Sequence, residues 1–251
     1  MNFKALHNAD QPLLLCNVWD VASARVAEKL GFQAIGTSSA AIATILGYED
    51  GENMSFSELY DVVNKIKKHT HIPLTVDIES GYNRDPIEVV NHIKKLSNLG
   101  VVGINIEDSV VTEERTLLDA SSFAKSLSKI IQQLKKDDFE MFVNVRTDVF
   151  LLGCADPVSS AKERIRLFEK TGADGIFIPC IEESKDIQFL TEYCSLPINV
   201  MCMPNLPDFS TLKALGVKRI SMGNFLFNNM YKQLESTLAS VLNTQSFKEI
   251  F

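Results

Sequence analysis

The chain has 251 residues, 45% hydrophobic and 23% charged, enough to bury a sizeable core in a single domain spanning 1–251. Its formal net charge is −7, and its basic residues are scattered along stretches such as NKIKKHTH and HIKKLS, which argues against nucleic acid as a partner. No basic-then-apolar leader opens the sequence and no apolar run approaches bilayer length, so a soluble cytoplasmic protein with no membrane partner is expected.

Eight short apolar runs punctuate the chain: LLLCNV (13–18), AIGTSS (34–39), LTVDIE (74–79), GINIED (103–108), FVNVRT (142–147), GIFIPC (175–180), INVMCM (198–203) and RISMG (219–223). They are nearly continuous rather than alternating, which predicts parallel strands buried on both faces. Amphipathic stretches separate them. In SFSELYDVVNKIKKHT, Leu59, Val62, Val63 and Ile66 share a helical face while Lys65, Lys67 and Lys68 point away. DPIEVVNHIKKLSNLG has Asp85 placed to cap, Pro86 in the first turn and Gly100 at the stop. The phrases LGFQAIGTS, LGVVGINIE, TGADGIFIP and LGVKRISMG repeat one plan of helix end, glycine, turn and strand. Eight such units in a chain of this length predict an α/β fold, a (β/α)8 barrel. The closing run NNMYKQLESTLASVLNTQSFKEIF has helical spacing at Met230, Leu234, Leu238 and Leu242, which fits a C-terminal helical segment over about 225–251, docked on its own barrel or on a partner's.

Five cysteines without a CxxC pair indicate a reducing compartment, and Cys16, Cys180 and Cys202, inside apolar runs, are expected to be buried structural thiols. The four histidines, His7, His69, His71 and His92, fall outside the strand ends and are expected to be exposed.

A barrel carries its active site at the C-terminal ends of its strands. There the sequence delivers Asn17, Trp19 and Asp20; Ser38 and Ser39; Asp77 and Glu79; Glu107 and Asp108; Arg146 and Asp148; Pro179; Pro204 and Asn205; Gly223 and Asn224. Asp77, Glu79 and Glu107, with Asp50 of the LGYEDGE loop as a further candidate, would repel one another in a dry mouth without a cation. Oxygen ligands without histidine or cysteine point to a hard ion, Mg²⁺ first and Mn²⁺ next. Period-two alternation would turn Asp77 and Glu79 into the mouth together. A plainer alternative pairs Glu79 or Glu107 with Arg146 as a structural salt bridge. An arginine fork facing a metal suits a substrate carboxylate, so a small anionic 2-oxo acid is the expected partner.

The run NVWDVASARVAEKLGFQAIGTSSAAIATILGYEDGE, followed by VDIESGYN, GINIEDS, VNVRTD and ADGIFIP, resembles the isocitrate lyase/phosphoenolpyruvate mutase superfamily over roughly residues 12–230. The resemblance implies a (β/α)8 barrel whose last helix is exchanged between subunits of a homodimer or homotetramer. It also implies a Mg²⁺ site with Asp77 as the direct ligand and Asp50, Glu79 and Glu107 acting mostly through bound water. By the same likeness, Ser38 with the N–H groups of Ser39 and Ala40 holds the substrate's carboxylate and enolate oxygens, and Arg146 is the substrate-binding arginine.

The sequence also departs from the family. The lyases that cleave isocitrate carry a KKCGH motif after the fourth strand, where this chain reads IEDSVVTEERTLLDASSF, without cysteine, histidine or lysine. The mutases carry a longer loop there. The shorter loop with Glu113 and Glu114 beside Arg115 is expected to attract a phosphonate poorly. What remains is a Mg²⁺-dependent lyase or decarboxylase of a small 2-oxo or 2-hydroxy acid acting through a pyruvate-enolate-like intermediate, with Asp50 or a metal-bound water handling protons. The alternatives are P–C bond chemistry on phosphonopyruvate and a non-catalytic 2-oxo acid binding protein. Trp19, Tyr48, Tyr82, Cys180 and Asn205 are candidates for contacting the substrate's side chain.

Overall fold

The structure, a computed structural model, describes residues 3–251. A four-residue helix α1 (Phe3–Leu6) leads into β1 (Leu13–Val18), α2 (Val21–Lys29), β2 (Ile35–Thr37), α3 (Ser39–Leu46), α4 (Phe56–His69), β3 (Leu74–Asp77), α5 (Pro86–Asn98) and β4 (Gly103–Glu107). The antiparallel pair β5 (Ser109–Val111) and β6 (Arg115–Leu117) follows, then α6 (Ala120–Lys136), β7 (Phe142–Arg146), α7 (Pro157–Phe168), β8 (Gly175–Ile178) and α8 (Ser184–Tyr193). The chain ends through β9 (Ile198–Met201), α9 (Phe209–Ala214), β10 (Arg219–Ser221) and α10 (Phe225–Thr244).

Eight strands, all parallel, close into a barrel in the order β1-β10-β9-β8-β7-β4-β3-β2. The helices form where their end signals lie. Ser55 caps α4 by accepting from the Glu58 N–H, while the Glu58 side chain accepts from the Ser55 N–H. Asp85 caps α5 and Pro86 occupies its first turn. Leu59, Val63 and Ile66 of α4 are buried, as the apolar spacing requires. Inside the barrel, Gly36 is needed for close approach, because a Cβ there would meet Leu15 Cδ2 at 2.5 Å.

At the N-terminal ends of the strands, Phe3, Leu6, Leu13, Leu15, Ala34 and Phe142 form a cluster of their own. His7 stacks on Phe142 with ring centroids 4.1 Å apart. The expectation of exposed histidines therefore fails for His7, which is buried, because the short α1 folds under the barrel and plugs it. Above the plug, Asn144 Nδ2 donates to Asn105 Oδ1 (2.9 Å) and Asn199 Oδ1 (3.2 Å), and Arg219 Nη2 donates to Asn105 Oδ1 (3.3 Å).

Two cysteine expectations also change. Cys16 is buried, but Cys202 is exposed because β9 stops at Met201, and Cys180 is half-buried at φ +63° just past β8. Helix α10 buries only Phe227 of its own residues, while Met230, Leu234, Leu238 and Leu242 all face out. None of the described helices is long and apolar enough to cross a membrane.

Candidate active site

A cavity of about 380 Å³ opens at the C-terminal ends of the strands, walled by Asn17, Ser38, Ser39, Ala40, Asp50, Asp77, Asn105, Arg115, Arg146, Phe177 and neighbours from the later strands. On one side β2 runs directly into α3. Ser38 is the N-cap, its hydroxyl accepting from the Ala41 N–H at 3.4 Å. The first turn of a helix has no intrahelical acceptor for its leading N–H groups, so those of Ser39 and Ala40 are available to an anion.

Asp77 ends β3, and its Oδ2 accepts from the Ser39 hydroxyl at 3.1 Å. Burial raises the Asp77 carboxyl above its ordinary range, Arg146 pulls it back and Asp50 pushes it up again. Glu79 is placed differently from what alternation predicts. The strand stops at Asp77 and Glu79 adopts φ +49°, so period two no longer applies. Its Oε1 accepts from the Tyr82 hydroxyl (2.9 Å) and its Oε2 from the Glu52 N–H (2.6 Å), outside the cavity wall. Burial, then Asp50 and Asp77, push Glu79 up to about 7.

Glu107 carries the salt bridge that was the plainer alternative. Its Oε2 lies 2.9 Å from Arg146 Nη1, and its Oε1 accepts from Arg115 Nη1. Arg146 is further held by Asp148, to which Nε donates at 2.6 Å and Nη2 at 3.2 Å. Burial raises the Glu107 carboxyl, while the two guanidiniums against it pull the other way.

The loop after β4 is not the acidic flap its composition suggests. Glu113 and Glu114 are exposed at the hairpin tip, whereas Arg115 turns inward to the cavity wall. Arg115 Nη2 donates to Asp50 Oδ2 at 2.8 Å, and Nη1 donates to the Ser109 hydroxyl at 3.1 Å. The loop thus presents Arg115, paired with Asp50 and Glu107, to the cavity and turns its two glutamates to solvent.

Trp19 packs edge-to-face on Phe227, 5.1 Å between centroids, and Asn205 is exposed with its N–H donating to Glu182 Oε1; neither lines the cavity. Tyr48 is spent on Glu58 and Tyr82 on Glu79. Asp108 turns away to Arg164 (2.8 Å).

Among the described residues, no three histidine, cysteine or acidic side chains converge to hold an ion directly. The donor set nonetheless fits a hard divalent cation reached partly through water. Asp77 and Asp50 face one cavity, and both are carboxylates, the oxygen donors a hard ion takes. The family model described as phosphoenolpyruvate phosphomutase matches residues 3–242. The chain belongs to that family.

Similarity to other proteins agrees with the assignment. A protein of Mycobacterium tuberculosis without an assigned activity is 32% identical over 224 residues, covering 89% of this chain and 82% of its own length. Oxaloacetate decarboxylase 1 of Pseudomonas fluorescens is 28% identical, covering 86% and 75%. The crystal structure of a candidate phosphonomutase from Burkholderia cenocepacia superposes with a TM-score of 0.89 at 34% identity, covering 94% of this chain and 97% of that one. This phosphoenolpyruvate phosphomutase family member is thus an enzyme of the carbon–carbon lyase or mutase class.

Four non-glycine residues of the family member that adopt positive φ, Glu52, Glu79, Tyr82 and Cys180, lie in the loops that follow α3, β3 and β8. Backbone strain of this kind persists where surrounding contacts fix it, and it gathers at functional sites. Asn17, named from the sequence as a strand-end residue, lines the wall, whereas sequence reasoning missed Asn105 and Arg115. For Arg115 a signal existed in the short β-branched run SVV and its polar turn, which together read as a hairpin.

Proposed function

We propose that the chain is a divalent-cation-dependent lyase or decarboxylase of a short 2-oxo or 2-hydroxy dicarboxylic acid, passing through a pyruvate-enolate-like species. The observation that carries this reading is that Asp77, Asp50, Arg146 and the N-terminus of α3 share one cavity. Asp77 would hold the ion directly, with Asp50 and, from behind the cavity wall, Glu79 and Glu107 contributing through bound water. When bound, Mg²⁺ supplies a positive charge beside the substrate's 2-oxygen. The chain's own groups do the rest. The Ser39 and Ala40 N–H groups receive the substrate's 2-oxygen, which bears charge as an enolate in decarboxylation and as an alkoxide at the start of cleavage, and the Ser38 hydroxyl orients the carboxylate. Arg146, held rigid by Asp148 and Glu107, supplies a fixed positive field rather than a free fork. Asp50, half-exposed at the rim, carries the proton to or from the reacting carbon. Similarity to an oxaloacetate decarboxylase supports the substrate class. The test is purified protein with Mg²⁺ and oxaloacetate, acylpyruvates or 2-alkylmalates, followed for pyruvate; no turnover of any of them by the wild type sinks the reading.

A second reading, P–C bond chemistry on phosphonopyruvate, is favoured by the inward guanidinium of Arg115 beside Asp50. Loss of the phosphonate signal in ³¹P NMR would establish it. A second copy of the chain is proposed to cover the outward apolar face of α10, giving a homodimer or homotetramer. Light scattering that finds a monomer rejects that.

A further inference from the structure

We infer that Arg115 binds the substrate's distal carboxylate and selects for reactions in which that carboxylate is kept. The inference deepens the proposed lyase reading and rests on it.

Two guanidiniums reach the cavity and they are not equivalent. Arg146 is occupied on all three nitrogens, by Asp148 and Glu107. Arg115 is anchored on one side only, where Nη1 is fixed by Glu107 and Ser109. Its Nη2 meets Asp50, whose side chain is 39% exposed and forms part of the cavity wall. An incoming carboxylate can take the place of Asp50 on Nη2, one anion replacing another, so no buried charge is left unpaired. The anchored half keeps the fork in place during the exchange. Asp50 is released at the same moment toward the reacting carbon or the cation.

The charge on Arg115 then separates two reactions of the same substrate class. In cleavage of a 2-hydroxy dicarboxylate, Asp50 takes the proton of the 2-hydroxyl, C2=O forms and C2–C3 breaks. The electron pair moves to C3 and spreads onto the distal carboxylate, which gains a second negative charge until C3 is protonated. In decarboxylation of a 2-oxo dicarboxylate, C3–C4 breaks, the pair passes to C3 and the 2-oxygen as an enolate, and the distal carboxylate departs as neutral CO₂. A guanidinium on the distal group stabilises the first transition state over its ground state and the second ground state over its transition state. Arg115 therefore favours cleavage and slows decarboxylation.

The experiment compares wild type, Arg115→Met and Arg115→Lys, each with Mg²⁺. Turnover is read on a 2-alkylmalate and on oxaloacetate, and calorimetric binding on malate, which has the distal carboxylate, and pyruvate, which lacks it. Arg115→Met is expected to lower kcat/KM for the alkylmalate and affinity for malate by about 10- to 100-fold, the worth of a charge-assisted hydrogen bond. Pyruvate affinity should change by less than about 3-fold on the same scale, oxaloacetate decarboxylation should speed up, and Arg115→Lys should restore part of the malate affinity. An equal loss for malate and pyruvate overturns the inference, as does decarboxylation that slows along with cleavage. If the wild type turns over neither substrate nor an acylpyruvate, the lyase reading fails, yet the malate-to-pyruvate affinity ratio still decides Arg115: a ratio unchanged in the variant rejects it. Should Arg115→Met not fold, Arg115→Lys against wild type supplies the same ratio.

Discussion

The two ends of the barrel bury polar groups by opposite means. At the bottom, His7 is packed against Phe142 and Phe3, and burial, then the nearby Arg219, lower it to about 4, so it is neutral at physiological pH. At the mouth, the acids stay among charges: Glu107 and Asp148 are locked to Arg146 and Arg115, and Asp77 and Asp50 face the cavity. The bottom gives up its charge and gains a packed plug. The mouth keeps its charge by pairing it, and one partner, Asp50, is exposed enough for exchange. Stability and chemistry are thereby divided between the ends, as barrels of this class allow.

The largest effect that would test this division is Asp77→Ala. Pyruvate formation is expected to fall by about 10³-fold or more, roughly 4 kcal/mol of transition-state stabilisation. The melting temperature should hold or rise, because the substitution removes a carboxylate that burial and Asp50 both disfavour in its charged form. An active Asp77→Ala enzyme would empty the mouth of its proposed role.

The mirror experiment at the bottom is Phe142→Ala. Phe142 is 5% exposed and touches both Phe3 (5.4 Å between centroids) and His7, so a cavity there should cost about 3 to 4 kcal/mol in urea unfolding. KM and kcat at a temperature where the variant is folded should stay near wild type, since the cavity lining does not include it. A selective loss of kcat without loss of stability would contradict the division.

Much of this arrangement is legible in the sequence, and its gaps have physical causes. All eight barrel strands are readable because burial on both faces makes each one continuously apolar, and α4 and α5 because their caps and periodicity agree. Asp77 and Arg146 follow, since each is the last residue of its strand. Glu79 is misplaced because it lies two residues past the strand end at positive φ, where alternation carries no information. Arg115 is hidden because β5 and β6 have three residues each, too short for a period to show, so the neighbouring Glu113 and Glu114 dominate the reading. His7 is missed for a similar reason: a helix of four residues, α1, has no periodic face.

His7 also gives the pH test of the bottom end. Its folded value of about 4 lies below the ordinary 6.5, so between the two the unfolded chain binds a proton that the fold refuses. This contribution is fully present above 6.5 and is lost as pH falls toward 4, about 3 kcal/mol in all. Across that window the urea midpoint of wild type should fall relative to that of His7→Gln, because the raised acids at the mouth act equally on both proteins. Parallel curves for the two proteins would show that His7 does not titrate as the packing requires.

The smallest and most local effect concerns the seam between the Asp50 loop and the hairpin. Gly51 has φ +107° and a Cβ there would meet Val111 Cγ2 at 2.5 Å, so Gly51→Ala strains the backbone and pushes the hairpin away at once. The cost, about 1 to 3 kcal/mol, falls on the docking of residues 109–117 rather than on the barrel, because the contact joins two surface segments. Those residues should open locally, so amide exchange across 109–117 is expected to speed up by roughly 10-fold or more with little change in the melting temperature. The Asp50–Arg115 ion pair spans the same seam, so malate affinity should fall with the docking. A lowered melting temperature with unchanged exchange in the hairpin would mean that the seam is part of the barrel's own core, and the mouth would then be less separable from the scaffold than its geometry indicates.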